Sequence, residues 1–195
     1  MKAFNNWENV KAATERPVLP AGAYIVEIKN AKVVEYSGSN GSFERFELAL
    51  DICEGDFKDF YADDYRAQTG EDKKWKGVLR QYLPKDDGTE KDEWTKSTLK
   101  ALITAIEDSN PAYHWDWDET KLRGKKVGCL FRNEEWEYNE KSGFKAQPFK
   151  FIAIDKVRTG NYKLPKDKLL KREDEYGSTS AVGNYKDIPD DDLPF

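Results

Sequence analysis

The chain of 195 residues is poor in the side chains from which most reactive centres are built: it has two cysteines and one histidine. Cys53 and Cys129 stand far apart, each in an apolar, strand-like run, and no Cys-x-x-Cys pair occurs. Two thiols and one imidazole cannot furnish a tetrahedral zinc site without carboxylates, so both cysteines read as reduced core thiols. Any Ser/His/Asp set would rest on His114 alone, and there is no Gly-x-x-x-x-Gly-Lys-Ser/Thr phosphate loop. Adjacent acids such as Glu134 and Glu135 point to opposite faces of a strand and cannot converge as an acid/base pair. Asp116 and Asp118 beside Trp115 and Trp117 are the other acid pair, in a segment that reads as a packed connection with His114 as a structural histidine. The sequence thus predicts a protein that is not an enzyme and uses no cofactor or metal. No apolar run reaches the ~18 residues of a membrane span. The start, Met1 to Trp7, lacks an apolar signal core. Both absences predict a cytoplasmic protein.

An excess of positive charge is also lacking, since the formal net charge is −5. That charge is unevenly placed. From Glu173 onward there are seven acids and one lysine, which leaves the rest of the chain with 31 bases against 30 acids. A near-neutral body can still carry a basic groove, because the local field decides anion binding. Composition changes at the same boundary. Past Val157 the apolar periodicity stops, and Gly177 to Asn184 is a polar Gly/Ser-rich stretch. A segment of this kind buries too little apolar surface to offset its ordering entropy, so 159–186 is expected to be a disordered linker.

The body alternates as β-structure does. From Gly22 to Glu35, Tyr24, Val26 and Ile28 lie on one face; the phase then slips and Ala31 and Val33 continue, which places a bulge near Asn30. Ser37–Ser42 is turn-rich. Phe46, Leu48, Leu50 and Ile52 alternate with polar residues as a second strand. Glu54–Asp56 is a tight turn, and Phe57–Tyr65 is expected as the third strand. Trp75, Val78, Leu79 and Tyr82 fall at helical spacing within 71–83. Asp92–Asp108 is the clearest helix, with Leu99, Leu102, Ile103 and Ile106 on one stripe. Leu122–Tyr138 (Val127, Cys129 and Phe131 inward) and Phe144–Arg158 are the last two strands, joined by a turn over Glu140–Gly143. Pro148 marks an edge or a bulge. Three strands, a helical insertion and two more strands, with a bulged first strand and a long first hairpin, is the order of the OB-fold. The expectation is an all-β domain with one or two helices: a five-stranded OB barrel over 22–158, preceded by an arm over 1–21 and followed by a disordered C-terminal tail.

The last residues are Asp187-Ile188-Pro189-Asp190-Asp191-Asp192-Leu193-Pro194-Phe195. Phe195 joins an aromatic ring to the chain's carboxylate, which an apolar pocket with a basic lip can read. Pro194 holds Leu193 extended, and the aspartates steer toward a basic rim. This ending resembles the acidic tip of bacterial single-stranded DNA-binding proteins, Asp-Asp-Asp-Ile-Pro-Phe, departing only at Leu193. The resemblance implies that Asp190, Asp191, Asp192, Leu193, Pro194 and Phe195 bind replication, recombination and repair proteins, with 187–195 as the partner-binding tip. The body, from Gly22 to Arg158, is similar to phage-encoded single-stranded DNA-binding proteins, chiefly at Leu122-Arg123-Gly124-Lys125-Lys126-Val127-Gly128. A phage-encoded protein would act in the bacterial host cytoplasm.

Coating a single strand without sequence preference needs stacking rings beside cations. The first hairpin offers Tyr36, Phe43 and Arg45. The last offers Arg132, Trp136, Tyr138, Phe144 and Lys145, and Lys125, Lys126 and Lys150 could line the backbone track. Glu134, Glu135, Glu137 and Glu140 oppose a strongly basic outer hairpin. The competing reading is a protein-interaction module, a recombination mediator or an annealing factor that works through the tip. The sequence leaves a homo-oligomer open.

Overall fold

The computed structural model describes residues 17–38 and 41–170, together with Lys2 and Asn5. Most of the expected arm, the linker beyond Leu170 and the whole tip lie outside the described residues. The described chain is mostly β: a five-stranded antiparallel open sheet with three helices.

Strand β1 (Gly22–Gly38) is long and pairs with β2 (Gly41–Ile52). Its register shifts between Ile28 and Asn30, so Lys29 is the extra residue of the bulge that the phase slip predicts. Inward-facing Phe46, Leu48, Leu50 and Ile52 are buried, as their alternation requires. β2 pairs next with β3 (Val78–Tyr82), while β1 pairs on its other side with β4 (Lys126–Tyr138), and β4 with β5 (Lys141–Ile152). The strand order is β3-β2-β1-β4-β5. The sheet curls far enough that β3 and β5, at its two ends, approach to within 8 Å between Cα atoms. The long helix α2 (Glu90–Ser109) starts on the side-chain cap of Thr89 and turns Leu102, Ile103, Ala105 and Ile106 into the core. No described helix is long and apolar enough to cross a membrane.

Two expected elements exchange places. Phe57–Tyr65 is not a strand: the chain turns at Gly55, and Phe60–Ala67 forms helix α1. Phe57, Phe60 and Tyr61 are spaced i, i+3, i+4, the helical stripe, and they pack on the core. The helix is anchored from a distance. Buried Asp51 accepts hydrogen bonds from the backbone N–H of Ile52, Tyr61 and Ala62, at 2.9, 2.9 and 3.1 Å. Replacing Asp51 with Ala strands these donors and should cost about 2 kcal/mol, with Asn costing less because one acceptor survives. Denaturant melts of the two variants check this.

Residues 71–83 are not a helix. They run extended into β3, where Leu79 pairs with Leu48 and joins the core while Val78, Arg80 and Tyr82 face outward. Pairing with β2 overrides the helical spacing, and Gly77 permits the close approach. Smaller differences lie at the ends. A 3-10 turn (Glu119–Leu122) precedes β4, and β5 stops at Ile152 before helix α3 (Ile154–Thr159). Pro148 lies on the edge strand of the sheet and beside a register shift that skips Phe149, so both readings of that proline hold. Cys129 is fully buried and Cys53 half-buried; both are free thiols.

The start of the expected linker is docked. Lys168 forms a parallel bridge beside Glu134, its N–H donating to Asn133 O and its carbonyl accepting from Glu135 N–H, both at 2.8 Å. It occupies the flank of β4 that β1 leaves once their pairing ends at Phe131.

Candidate functional site

Strand alternation sorts the first three strands into a core side and an outer side. Lys32, Val34 and Tyr36 of β1 pair with Glu47, Arg45 and Phe43 of β2, and Arg45 and Glu47 pair in turn with Tyr82 and Arg80 of β3. Cross-strand partners share a face, so rings and charges collect on the outer side. Tyr36 and Phe43 lie nearly parallel, with centroids 5.4 Å apart and planes 10° apart. The Arg45 guanidinium sits 5.0 Å from the Tyr36 ring centroid, 5.1 Å from Phe43 and 4.8 Å from Tyr82. It also donates to the Tyr82 hydroxyl at 2.6 Å. The three residues expected of the first hairpin therefore come together, and Tyr82 completes the cluster.

Glu47 ties this cluster to the rest of the face. Its carboxylate accepts from the Tyr36 hydroxyl at 2.7 Å and from Arg80 Nε at 3.2 Å, and Lys32 Nζ lies 3.7 Å away. Burial pushes the carboxyl upward, but Tyr36, Arg80 and Lys32 outweigh it, and Glu47 titrates below the usual carboxylate range. Beyond Glu47 the α1–β3 connection brings Trp75, whose indole N–H donates to the carbonyls of Leu50 and Gly77. The Gln68 amide fixes the backbone of Lys74 by hydrogen bonds to its N–H and carbonyl, both at 2.8 Å.

The last hairpin is built differently. Asn139 and Glu140 both have positive φ, a two-residue turn one step earlier than the Glu140–Gly143 turn expected. Gly143 lies within β5 opposite Trp136, under the indole: a Cβ there would come within 3.3 Å of the ring. Alternation puts Arg132, Trp136 and Tyr138 on the outer side with Lys145 opposite Glu134, and puts Phe144, opposite Glu135, on the other side. Trp136 and Tyr138 are exposed. Arg132 covers the Phe149 ring at 4.4 Å and pairs with Glu134 through Nε and Nη2. Lys150, exposed, pairs in register with Leu130.

Lys125 and Lys126 are not gathered with either hairpin. Lys126 pairs with Glu27, in register with the middle of the sheet, and lies 3.9 Å from Glu54, while Lys125 sits 4.8 Å from the Tyr113 ring. The Trp115–Trp117 connection divides. Trp115 packs against Phe46, whereas Trp117 is 80 % exposed at φ 67°. His114 is exposed and meets Glu107 at 3.2 Å. Among the described residues no group of three or more His, Cys, Asp or Glu could hold a metal ion.

Helical spacing assigns Trp75 and Tyr82 to a helix, and no sequence pattern singles out Lys32 or Arg80. Reading 78–82 as a strand would have placed Arg80 and Tyr82 beside Glu47 and Arg45. No protein-family model matches the chain, and no curated protein matches it at a significant level.

Proposed function

We propose that this protein binds single-stranded DNA on the outer face of β1, β2 and β3, and recruits replication, recombination or repair proteins through its last nine residues. The observation that carries the reading is the Arg45 cluster: a guanidinium held among three rings on an outward sheet face, next to further cations. Such a surface offers π-faces to bases of any identity and positive charge to their phosphates, which is what binding without sequence preference requires. The strand order, the helix between β3 and β4 and the approach of β3 to β5 fit a partly open OB barrel, which uses this face and its two long hairpins for oligonucleotides. The outer residues of the last hairpin, Arg132, Trp136, Tyr138 and Lys145, extend the same side of the sheet.

Six tryptophans provide the test. Titrated with a single strand, the full chain should show fluorescence quenching that weakens as salt rises, and its duplex should compete poorly. No response to either nucleic acid contradicts the reading and leaves the tip as the functional feature. The tip is separable. Deleting Phe195 should abolish capture of the replication or repair partner and leave the single-strand titration unchanged. A partner still held without Phe195 overturns the tip assignment.

A further inference from the structure

At the bulge of β1 the outer face deepens into a groove of about 510 Å³, whose lining includes Asn30, Lys32, Glu47, Lys74, Trp75 and Arg80. Its charges are layered. The Glu47 carboxylate lies deep, with 12 % of its side chain exposed, while Arg80 and Lys32 reach it from the rim at 50 % and 59 %. Lys74, its backbone pinned by Gln68, is exposed at the same groove. A phosphate offers the same donors an equivalent partner, because arginine and lysine bind carboxylate and phosphate oxygens with the same charge-assisted geometry. Trp75 adds a half-buried indole beside them.

We infer that this groove is a phosphate subsite of the single-strand track, with Lys32, Lys74 and Arg80 as its donors and Glu47 as an internal counter-anion that competes with the strand for them. The inference rests on the single-strand reading above. It extends the track from the Arg45 cluster over Glu47 to Trp75, and it makes Glu47 the residue that holds affinity down. In the free protein the carboxylate partly neutralises the rim; once a phosphate enters, the two anions share the same cations and repel each other.

The test is Glu47→Gln, which keeps the shape and an acceptor for the Tyr36 hydroxyl while removing the charge. Anisotropy of a fluorescein-labelled oligothymidylate should show binding about tenfold tighter at low salt. The log–log salt dependence should steepen by about 0.7, the increment for one more phosphate of a single strand neutralised and its counterion released. Arg80→Gln and Lys74→Gln should each weaken binding several-fold, and more so in the Glu47→Gln background. Unchanged or weaker binding by Glu47→Gln, with an unchanged melting temperature, overturns the counter-anion. If Arg45→Ala loses affinity while the Lys74, Arg80 and Glu47 variants all bind like the parent, the subsite falls and the single-strand reading stands. If no variant and no parent protein binds the oligonucleotide, both fall.

Discussion

Replacing Arg45 with Ala should lower the affinity for single-stranded DNA by about 100-fold while leaving the protein folded. One side chain is expected to have so large an effect because it acts in two ways. It supplies a cation at the centre of the face, and it organises Tyr36, Phe43 and Tyr82, each within about 5 Å of its guanidinium carbon. Without it the rings lose cation–π contacts of about 0.5–1 kcal/mol each, and Tyr82 loses its hydrogen bond. Base stacking, worth roughly 1–3 kcal/mol per base, then falls on rings that are no longer held in place. Arg45→Lys restores the charge but not the planar fork that lies against aromatic faces, so it should recover only a small part of the loss. Titration of the three proteins with the same oligonucleotide, alongside thermal melts, checks this. Equal affinities would remove Arg45 from the interface.

The second large effect concerns stability. Gly77 is buried where β3 begins, and a Cβ on it would lie 2.4 Å from Tyr61 Cδ2 and 2.6 Å from the Leu50 carbonyl oxygen. Neither neighbour can yield easily. The Leu50 oxygen is backbone within β2, and Tyr61, 4 % exposed, is wedged between Phe60 and fully buried Phe131. Gly77→Ala should therefore cost about 3 kcal/mol or more through overpacking. For a domain of this size the melting temperature should fall by about 10 °C. Gly143→Ala is the matched control. The three atoms nearest its Cβ all belong to the Trp136 indole, at 3.3–3.4 Å, and Trp136 is an exposed ring at a hairpin that can tilt away. It should melt close to the parent. Equal melting of the two variants would show that the α1–β3 contact relaxes as freely as the hairpin does.

The fold was legible in the sequence where one periodicity governs an element from end to end. β2 and α2 are of this kind; β1 keeps the two-residue period on either side of its bulge, and β4 and β5 keep it over their buried halves. The exchange of α1 and β3 shows where that signal fails. Phe57, Phe60 and Tyr61 carry a helical stripe, but the decisive helix anchor is Asp51, which no local pattern links to them. Residues 75–82 carry an accidental helical spacing that the ladder with β2 overrides. The same spacing bears on the site. Residues two apart share a face on a strand but lie about 200° apart around a helix, so Arg80 and Tyr82 could not be seen as neighbours. Tyr36, Phe43 and Arg45 were legible because a single hairpin brings them together. Charge alone suggests Lys125 and Lys126 for the backbone track, whereas register sets Lys126 opposite Glu27 and Lys125 lies over the Tyr113 ring. The proposed partner-binding tip, 187–195, lies outside the described residues.

The most direct test of the central claim is photo-crosslinking of the full chain to a single strand bearing 5-iododeoxyuridine, followed by mass spectrometry of the attached peptides. Iodinated bases couple to rings that stack on them. Binding on the outer face predicts adducts at Tyr36, Phe43 or Tyr82, with Trp75 as a further site. Adducts confined to the other side of the sheet or to α2, or none under conditions where the strand is bound, would contradict it.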